Sequence, residues 1–238
     1  MSGERASGRT WSTVWSARVP LPTATTAVGD LMRADGFDTP FTSPGTEAFT
    51  EYVLRWGQRL ALTEGSTVYE VGCGAGAFLA PLASAGAKVG GCDLAPGLVE
   101  LARRALPDAD LTVAEATAMP EEPRYDVVIA HGVFAYFPDE DYARRVVGRM
   151  AAKAARSVAV MDLPDVRWQE EEMRQRLRLF GNPESYRREY DGLDQRAYEQ
   201  EWISRVLVEL GMREVSFVDE PVPGRPVPST RFSVVATR

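Results

Sequence analysis

The 238-residue chain reads as an α/β fold: an open, mostly parallel sheet with helices on both faces. Three observations predict it. Short apolar runs alternate with helical patterns through the middle of the chain, which is the signature of repeated strand–helix–strand units. The first run, Val68, Tyr69 and Val71, is followed by glycines at 72, 74 and 76 that allow a sharp turn into a helix. Three consecutive strand patterns end in acids, at Glu70, Asp93 and Glu115.

In chain order, residues 1–62 read as an amino-terminal helical cap. Residues 2–10 are polar and expected to fray. A turn-rich stretch at 35–44 precedes a helix whose face is marked by Thr46, Phe49, Val53, Trp56 and Leu60, with Phe41 or Phe49 as candidates to shield a reactive centre. Residues 63–238 form the principal domain. There a helix is expected from Gly76, strands at Val89, Thr112, Val127 and Val158, and helices over 96–106 and 139–153, the latter capped by Asp139. The rhythm breaks at 163–196, a charge-rich insertion with Trp168, Met173, Leu177 and Phe180 at helical spacing, followed by Tyr186 and Tyr190. Because it leaves the carboxyl end of the fifth strand, it emerges on the ligand side of an open sheet and reads as a substrate lid. A helix over 198–210 and strands at 215–218 and 232–236 close the chain, and the proline-rich link at 220–228 reads as a stiff loop on the ligand edge.

The glycine turn alone also satisfies the dinucleotide pattern G-x-G-x-x-G/A, so a nicotinamide oxidoreductase shares it. Glu70 separates the two ligands, because a carboxylate at that strand end repels a pyrophosphate and suits a cationic ammonium. Asp93, roughly twenty residues beyond the first glycine, suits a ribose diol. Glu115 suits an exocyclic adenine amine. Together the three acids describe an adenosyl pocket.

At these residues the chain resembles the class I S-adenosylmethionine-dependent methyltransferases of the small-molecule type. The match runs from Glu70-Val71-Gly72-Cys73-Gly74-Ala75-Gly76 through Asp93 and Glu115 to Tyr125-Asp126-Val127-Val128-Ile129-Ala130-His131 and Phe137-Pro138-Asp139. The resemblance implies a Rossmann-like, seven-stranded sheet closed by an antiparallel C-terminal hairpin. It implies S-adenosyl-L-methionine as cofactor, with Glu70, Gly72, Cys73, Gly74 and Gly76 at its methionine end, Asp93 and Leu94 at the ribose, and Glu115 with the Ala116 amide at the adenine. Glu115 departs from the Asp that many relatives carry.

The only histidine, His131, falls at the end of the fourth strand beside the expected methyl position and is the candidate general base, with Tyr136 and Asp162 in reserve. Tyr136, Tyr186 and Tyr190 are candidate substrate-binding residues. No carboxylate or amide cluster with metal-ligand spacing accompanies them, and no metal is expected. A non-methylating S-adenosylmethionine-binding protein, such as a cyclase or scaffold, shares the same motifs.

A formal charge of −7 argues against a nucleic-acid partner, whose binding rests on clustered Lys and Arg. No apolar run reaches the ~20 residues that span a bilayer, and the first ten residues lack a signal-peptide core. A cytoplasmic enzyme with a small-molecule acceptor is the expectation. Cys73 and Cys92 are expected as free, packed thiols, since a bridge would distort the turn. Arg greatly outnumbers Lys, with Lys88 and Lys153 the only lysines, which suggests a GC-rich bacterial genome and a natural-product or sugar-tailoring context.

Overall fold

The computed structural model describes residues 9–18, 25–225 and 229–238. The expected fraying at 2–10 therefore falls largely outside the described residues, as does the 226–228 part of the proline-rich link.

Three helices come first: α1 (Trp11–Ser16), α2 (Val28–Ala34) and α3 (Thr46–Arg59). The sheet and its crossovers follow as β1 (Thr67–Val71), α4 (Leu79–Ser84), β2 (Lys88–Asp93), α5 (Pro96–Ala105), β3 (Asp110–Val113), β4 (Tyr125–His131), α6 (Glu140–Lys153) and β5 (Ala154–Pro164). Two insertion helices, α7 (Gln169–Phe180) and α8 (Pro183–Tyr190), precede α9 (Gln200–Glu209), β6 (Glu214–Val218) and β7 (Arg231–Thr237). The seven strands lie in the order β3-β2-β1-β4-β5-β7-β6. β1 to β5 pair in parallel, and β7 pairs antiparallel with both β5 and β6. This is the expected Rossmann-like sheet with its antiparallel closing hairpin.

Alternation along the strands builds two cores. Val68, Val127, Ile129, Ala159 and Met161 face one side, where Phe49, Val53 and Trp56 of α3, Leu79 and Leu82 of α4, and Leu98 and Leu101 of α5 cover them. Tyr69, Val71, Val128, Ala130, Val158 and Val160 face the other, against Val146, Val147 and Met150 of α6 and Ile203, Val206 and Leu207 of α9. Helix starts and stops follow local chemistry. Pro96 opens α5, the Asp139 carboxylate accepts from the Tyr142 N–H at 2.6 Å to cap α6, and Gly181 ends α7 at φ 76°.

Several details differ from the sequence reading. The helix after the glycine turn begins at Leu79 and not at Gly76, because the chain needs the intervening residues to leave the loop. Of the predicted α3 face, Thr46 is exposed and Tyr52 is buried in its place. Trp168 and Met173 are 45% and 46% exposed, so the amphipathic face expected for the insertion helix is only half used. Its inward contacts come from Gln175 and Phe180. β5 continues through Leu163 and Pro164, which places the insertion proper after Pro164. No helix among the described residues is long and apolar enough to cross a membrane.

Lys153 is fully buried at the end of α6. Its Nζ donates to the carbonyls of Pro120 and Pro123, each at 2.9 Å, and lies 4.3 Å from the Tyr69 ring centroid. Lys153→Met keeps most of the stem's packing and leaves both carbonyls without that donor. It is expected to cost about 1–3 kcal/mol, a fall in melting temperature of roughly 2–4 °C per kcal/mol for a chain of this size. A melt unchanged from wild type would show that the ammonium does not hold the 120–123 segment.

Candidate active site

The sheet order reverses between β1 and β4, and at such a switch point the loops leaving adjacent strands diverge and open a crevice above the carboxyl ends. A cavity of about 990 Å³ lies there. It is walled by Glu70, Asp93, His131 and Asp162 from β1, β2, β4 and β5 and by Glu115, and covered by the amino-terminal helices and the insertion. Glu115 does not end the third strand as expected: β3 stops at Val113, and Glu115 caps the short turn that follows.

The glycine turn is shaped by close approach. Gly72, Gly74 and Gly76 all have positive φ, at 74°, 52° and 86°. A Cβ on Gly72 would meet Val133 Cγ2 at 2.7 Å, and one on Gly74 would meet the Asp35 carboxylate. Gly76 serves a different purpose: its missing Cβ faces Leu106 and Ala102 of the α5 region, and it is not among the residues walling the cavity. Gly72, Cys73, Gly74, Leu94 and Ala116 do wall it. Cys73 and Cys92 are both buried free thiols, and burial raises Cys92 to about 11.

Asp93 accepts from the Ala95 N–H at 2.8 Å and the Gly74 N–H at 2.9 Å, which locks the end of β2 to the glycine turn and fixes the carboxylate toward the cavity. Glu70 is 3% exposed, and its Oε2 has no hydrogen-bond partner among the described residues. Burial, with the nearby charges of Asp35 and Asp93, raises its pKa well above the usual range. An unpaired buried carboxylate oxygen beside a backbone turn that tolerates no side chain is a fitting receptor for an ammonium. Glu115 is placed differently. It is exposed at the cavity edge and accepts from the Tyr142 hydroxyl at 2.7 Å.

His131 stands between the two halves of the cavity, its ring 4.9 Å from Phe78 and 6.1 Å from Phe37. Its Nε2 is 3.2 Å from the Tyr52 hydroxyl. Burial, opposed by the Asp162 charge, lowers its pKa to about 4, so the imidazole is neutral at ordinary pH. Burial also keeps the Tyr52 phenol protonated, so the pair is a neutral hydrogen bond between the Tyr52 hydroxyl and Nε2.

The lid-side residues form an aromatic cluster. Tyr190 walls the cavity and packs 6.3 Å from Trp11, which lies 4.7 Å from Tyr136. Tyr186 sits one layer back, against Tyr190 at 4.8 Å and Phe180 at 5.7 Å. Phe41 reaches the cavity, whereas Phe49 is wholly buried behind Phe37.

Sequence reasoning missed two groups. The first is Asp35, at the end of α2, whose carboxylate accepts from the Ala75 and Ala77 N–H groups at 2.6 and 3.1 Å. The Asp35-Gly36 turn was legible as a turn but gave no sign of the partner it meets. The second is a set of arginines, Arg176, Arg225 and Arg231, that meet Asp162 and Glu172 at the opposite end of the cavity.

Burial raises the Asp35 pKa to about 7, against the lowering effect of its two backbone donors and with help from the Asp93 charge. A raised carboxyl contributes stability that is full below its unfolded pKa and is lost as pH rises through the folded one. In cofactor-free protein the Asp35→Asn variant, whatever its constant offset, should therefore gain on the wild type as pH rises from about 4 to about 7. Melting temperatures of the two proteins across that range measure the difference, which contains Asp35 and its charge effect on Glu70, both of the same sign. A constant difference would mean that Asp35 ionises normally in the fold.

Residues 68–155 match the family model described as a methyltransferase domain. Among solved structures, the chain is similar to the magnesium protoporphyrin IX methyltransferase of Synechocystis PCC 6803 with bound SAH, at 19% identity and a TM-score of 0.59, covering 89% of this chain and 97% of that one. It is similar to the amino pentose methyltransferase of Micromonospora echinaspora with bound SAM, at 16% identity and a TM-score of 0.57, covering 80% and 91%. It is also similar to the N-methyltransferase NodS of Bradyrhizobium japonicum WM9, at 17% identity and a TM-score of 0.57, covering 84% and 98%. No curated protein matches the sequence significantly. The sheet order and the family match agree: residues 68–155 carry a methyltransferase domain, on the fold shared by these S-adenosylmethionine-dependent methyltransferases.

Proposed function

We propose that the protein transfers a methyl group from S-adenosyl-L-methionine to an oxygen or nitrogen of a small organic acceptor, as a cytoplasmic enzyme of bacterial natural-product or sugar tailoring. The observation that carries this reading is the convergence of Glu70, Asp93 and Glu115 on one cavity with the glycine turn between them. The acceptors named for two of the structural neighbours, a protoporphyrin and an amino pentose, are small organic molecules and support the acceptor class. The acidic chain supports a partner other than nucleic acid. Two buried free thiols in the ligand loop and at its neighbouring strand suit a reducing compartment.

Glu70, Gly72, Cys73 and Gly74 would hold the methionine end, Asp93 and Leu94 the ribose, and Glu115 and Ala116 the adenine. Gly76 would act by packing the following helix onto α5. When bound, the cofactor supplies a methyl group on a sulfonium, ready for in-line displacement. The protein's part is to align the acceptor and exclude water, and orientation can contribute about 7–11 kcal/mol. Residues 1–62 would close the cofactor side and the 163–196 segment the acceptor side, with Tyr136 and Tyr190 against the acceptor and Tyr186 stiffening the layer behind them.

His131, the catalytic candidate of the sequence, is proposed to shape the methyl-transfer position and not to carry the proton. A base held to about 4 is far from the optimum near working pH, and Tyr52 occupies its Nε2. The wild-type rate should then show no histidine-like step near pH 6.5. His131→Gln should lower turnover while keeping the shape of the pH profile. A step near 6.5 that disappears in His131→Gln would restore it as the general base.

The cofactor reading is tested by calorimetry with S-adenosylhomocysteine. Asp93→Ala should lose about 1.5–3 kcal/mol for each charged hydrogen bond removed, while the family-matched domain stays folded because Asp93 closes a strand and does not sit within it. Full affinity in the variant would remove Asp93 from the pocket.

A further inference from the structure

We infer that the methyl acceptor is an aromatic or similarly flat organic molecule bearing a carboxylate, and that the carboxylate docks on Arg225 beside Arg176 and Arg231. This deepens the proposed function and rests on it. The cavity is polarised by charge. Around the glycine turn stand Asp35, Glu70 and Asp93, a set suited to a cationic cofactor. At the far end, beyond the neutral ring of His131, stand the three guanidiniums.

Those guanidiniums outnumber the acids they meet. Arg225 Nη2 donates to Asp162 Oδ2 at 2.6 Å, and Arg231 Nη1 donates to the same oxygen at 3.2 Å. Arg231 Nη2 and Arg176 Nη2 donate to Glu172 Oε1 at 2.7 and 2.8 Å, and both also donate to the neutral oxygen of Gln195. The charged groups that bear most on Arg225 are Asp162, Arg231, Glu172 and Arg176, so within this hydrogen-bonded cluster three guanidiniums share two carboxylates. A network serving the fold alone would balance its buried charges, because an excess charge out of water is costly. Within the cluster the cations exceed the anions by one, which suits a carboxylate better than a phosphate dianion.

The geometry leaves that charge a place. Arg231 is 6% exposed and Arg176 11%, but Arg225 is 20% exposed, on a loop that reaches the cavity. Its Nε is buried without a partner among the described residues, as is that of Arg231, so a ligand from the cavity would meet the terminal nitrogens of Arg225. Asp162, at φ 60° on the bulge where the β5–β7 register shifts, turns its carboxylate to brace Arg225 and Arg231 from below. A planar guanidinium braced in this way presents its remaining N–H edge for a bidentate carboxylate. The Arg176 guanidinium lies 5.1 Å from the Phe41 ring centroid, and Tyr190 lies 6.1 Å from Phe41, so the anion site adjoins an aromatic wall suited to a flat apolar body.

The test uses the full chain saturated with S-adenosylhomocysteine and a panel of aryl carboxylates, headed by 3-phenylpropionate, each paired with its neutral carboxamide and with phenyl phosphate as a dianion control. Calorimetry should show carboxylates binding at least tenfold tighter than their amides. Arg225→Gln should abolish that preference and leave S-adenosylhomocysteine affinity within twofold of wild type. The wild-type comparison stands even if the variant folds poorly. Equal binding, or no binding, of acid and amide across the panel overturns the inference, and tighter binding of phenyl phosphate overturns the carboxylate assignment. Failure of S-adenosylhomocysteine itself to bind would instead overturn the cofactor reading on which the inference rests.

Discussion

Three carboxylates gathered around one short turn, one buried and two half-buried, set the terms for the rest of the molecule. Asp35, Glu70 and Asp93 would repel one another if all were charged and dry, and the fold answers each differently. Asp93 is stabilised by the N–H groups of Gly74 and Ala95, and Asp35 by those of Ala75 and Ala77. Glu70 has an oxygen with no such donor among the described residues and meets the cost by holding its proton. The glycines follow from this constraint. A turn whose N–H groups must serve two carboxylates, with a Cβ at position 74 overlapping one of them, has room for no side chain there.

Much of this was legible because it is local. The buried strand at Val68, Tyr69 and Val71, the cap at Asp139 and the acid Asp93 closing its strand are all consequences of neighbouring residues, and each stands where the sequence put it, whereas Glu115 lies beyond the end of its strand. Gly76 shows the limit of such reasoning. Its positive φ is local and predictable, but whether the vacant Cβ faces a ligand or Leu106 depends on a helix some thirty residues away in sequence. The exposure of Trp168 and Met173 is the same kind of miss, since periodicity identifies a helical face without saying whether anything covers it.

The features with no local sign are those made by long-range meetings. Asp35 acts on the glycine turn across a sequence separation of about forty residues, and nothing in its own surroundings marks it. Asp162 reads as the end of a strand, yet a bulge turns it out of the pleat, so that Met161 and Leu163 face opposite cores while its own carboxylate meets two arginines from the far end of the chain. A proline-rich loop gave every reason to expect stiffness and none to expect Arg225. Its role exists only because β7 returns antiparallel beside β5 and brings the loop over the cavity.

The same arrangement couples access to chemistry. Asp35 belongs to the amino-terminal helices, so displacing those helices from the glycine turn breaks its bonds to the Ala75 and Ala77 N–H groups, which directly follow the part of the turn that walls the cavity. On the other side, Trp11 of α1 donates from Nε1 to the Asp194 carbonyl at 2.9 Å and packs on Tyr136 and Tyr190, tying the amino-terminal segment to the insertion. The two amino-terminal helices α1 and α2 therefore touch the insertion and the glycine turn, respectively. At the glycine turn Asp35 is half-buried with its pKa near 7, poised between a neutral and a charged form. A cation arriving beside Asp35 favours the charged form and strengthens its hold on the two N–H groups. In the proposed function a cationic cofactor would therefore tighten the hold of Asp35 on the turn, while Trp11 and Phe41 join the same amino-terminal region to the insertion through a hydrogen bond to Asp194 and through ring contacts with Tyr190.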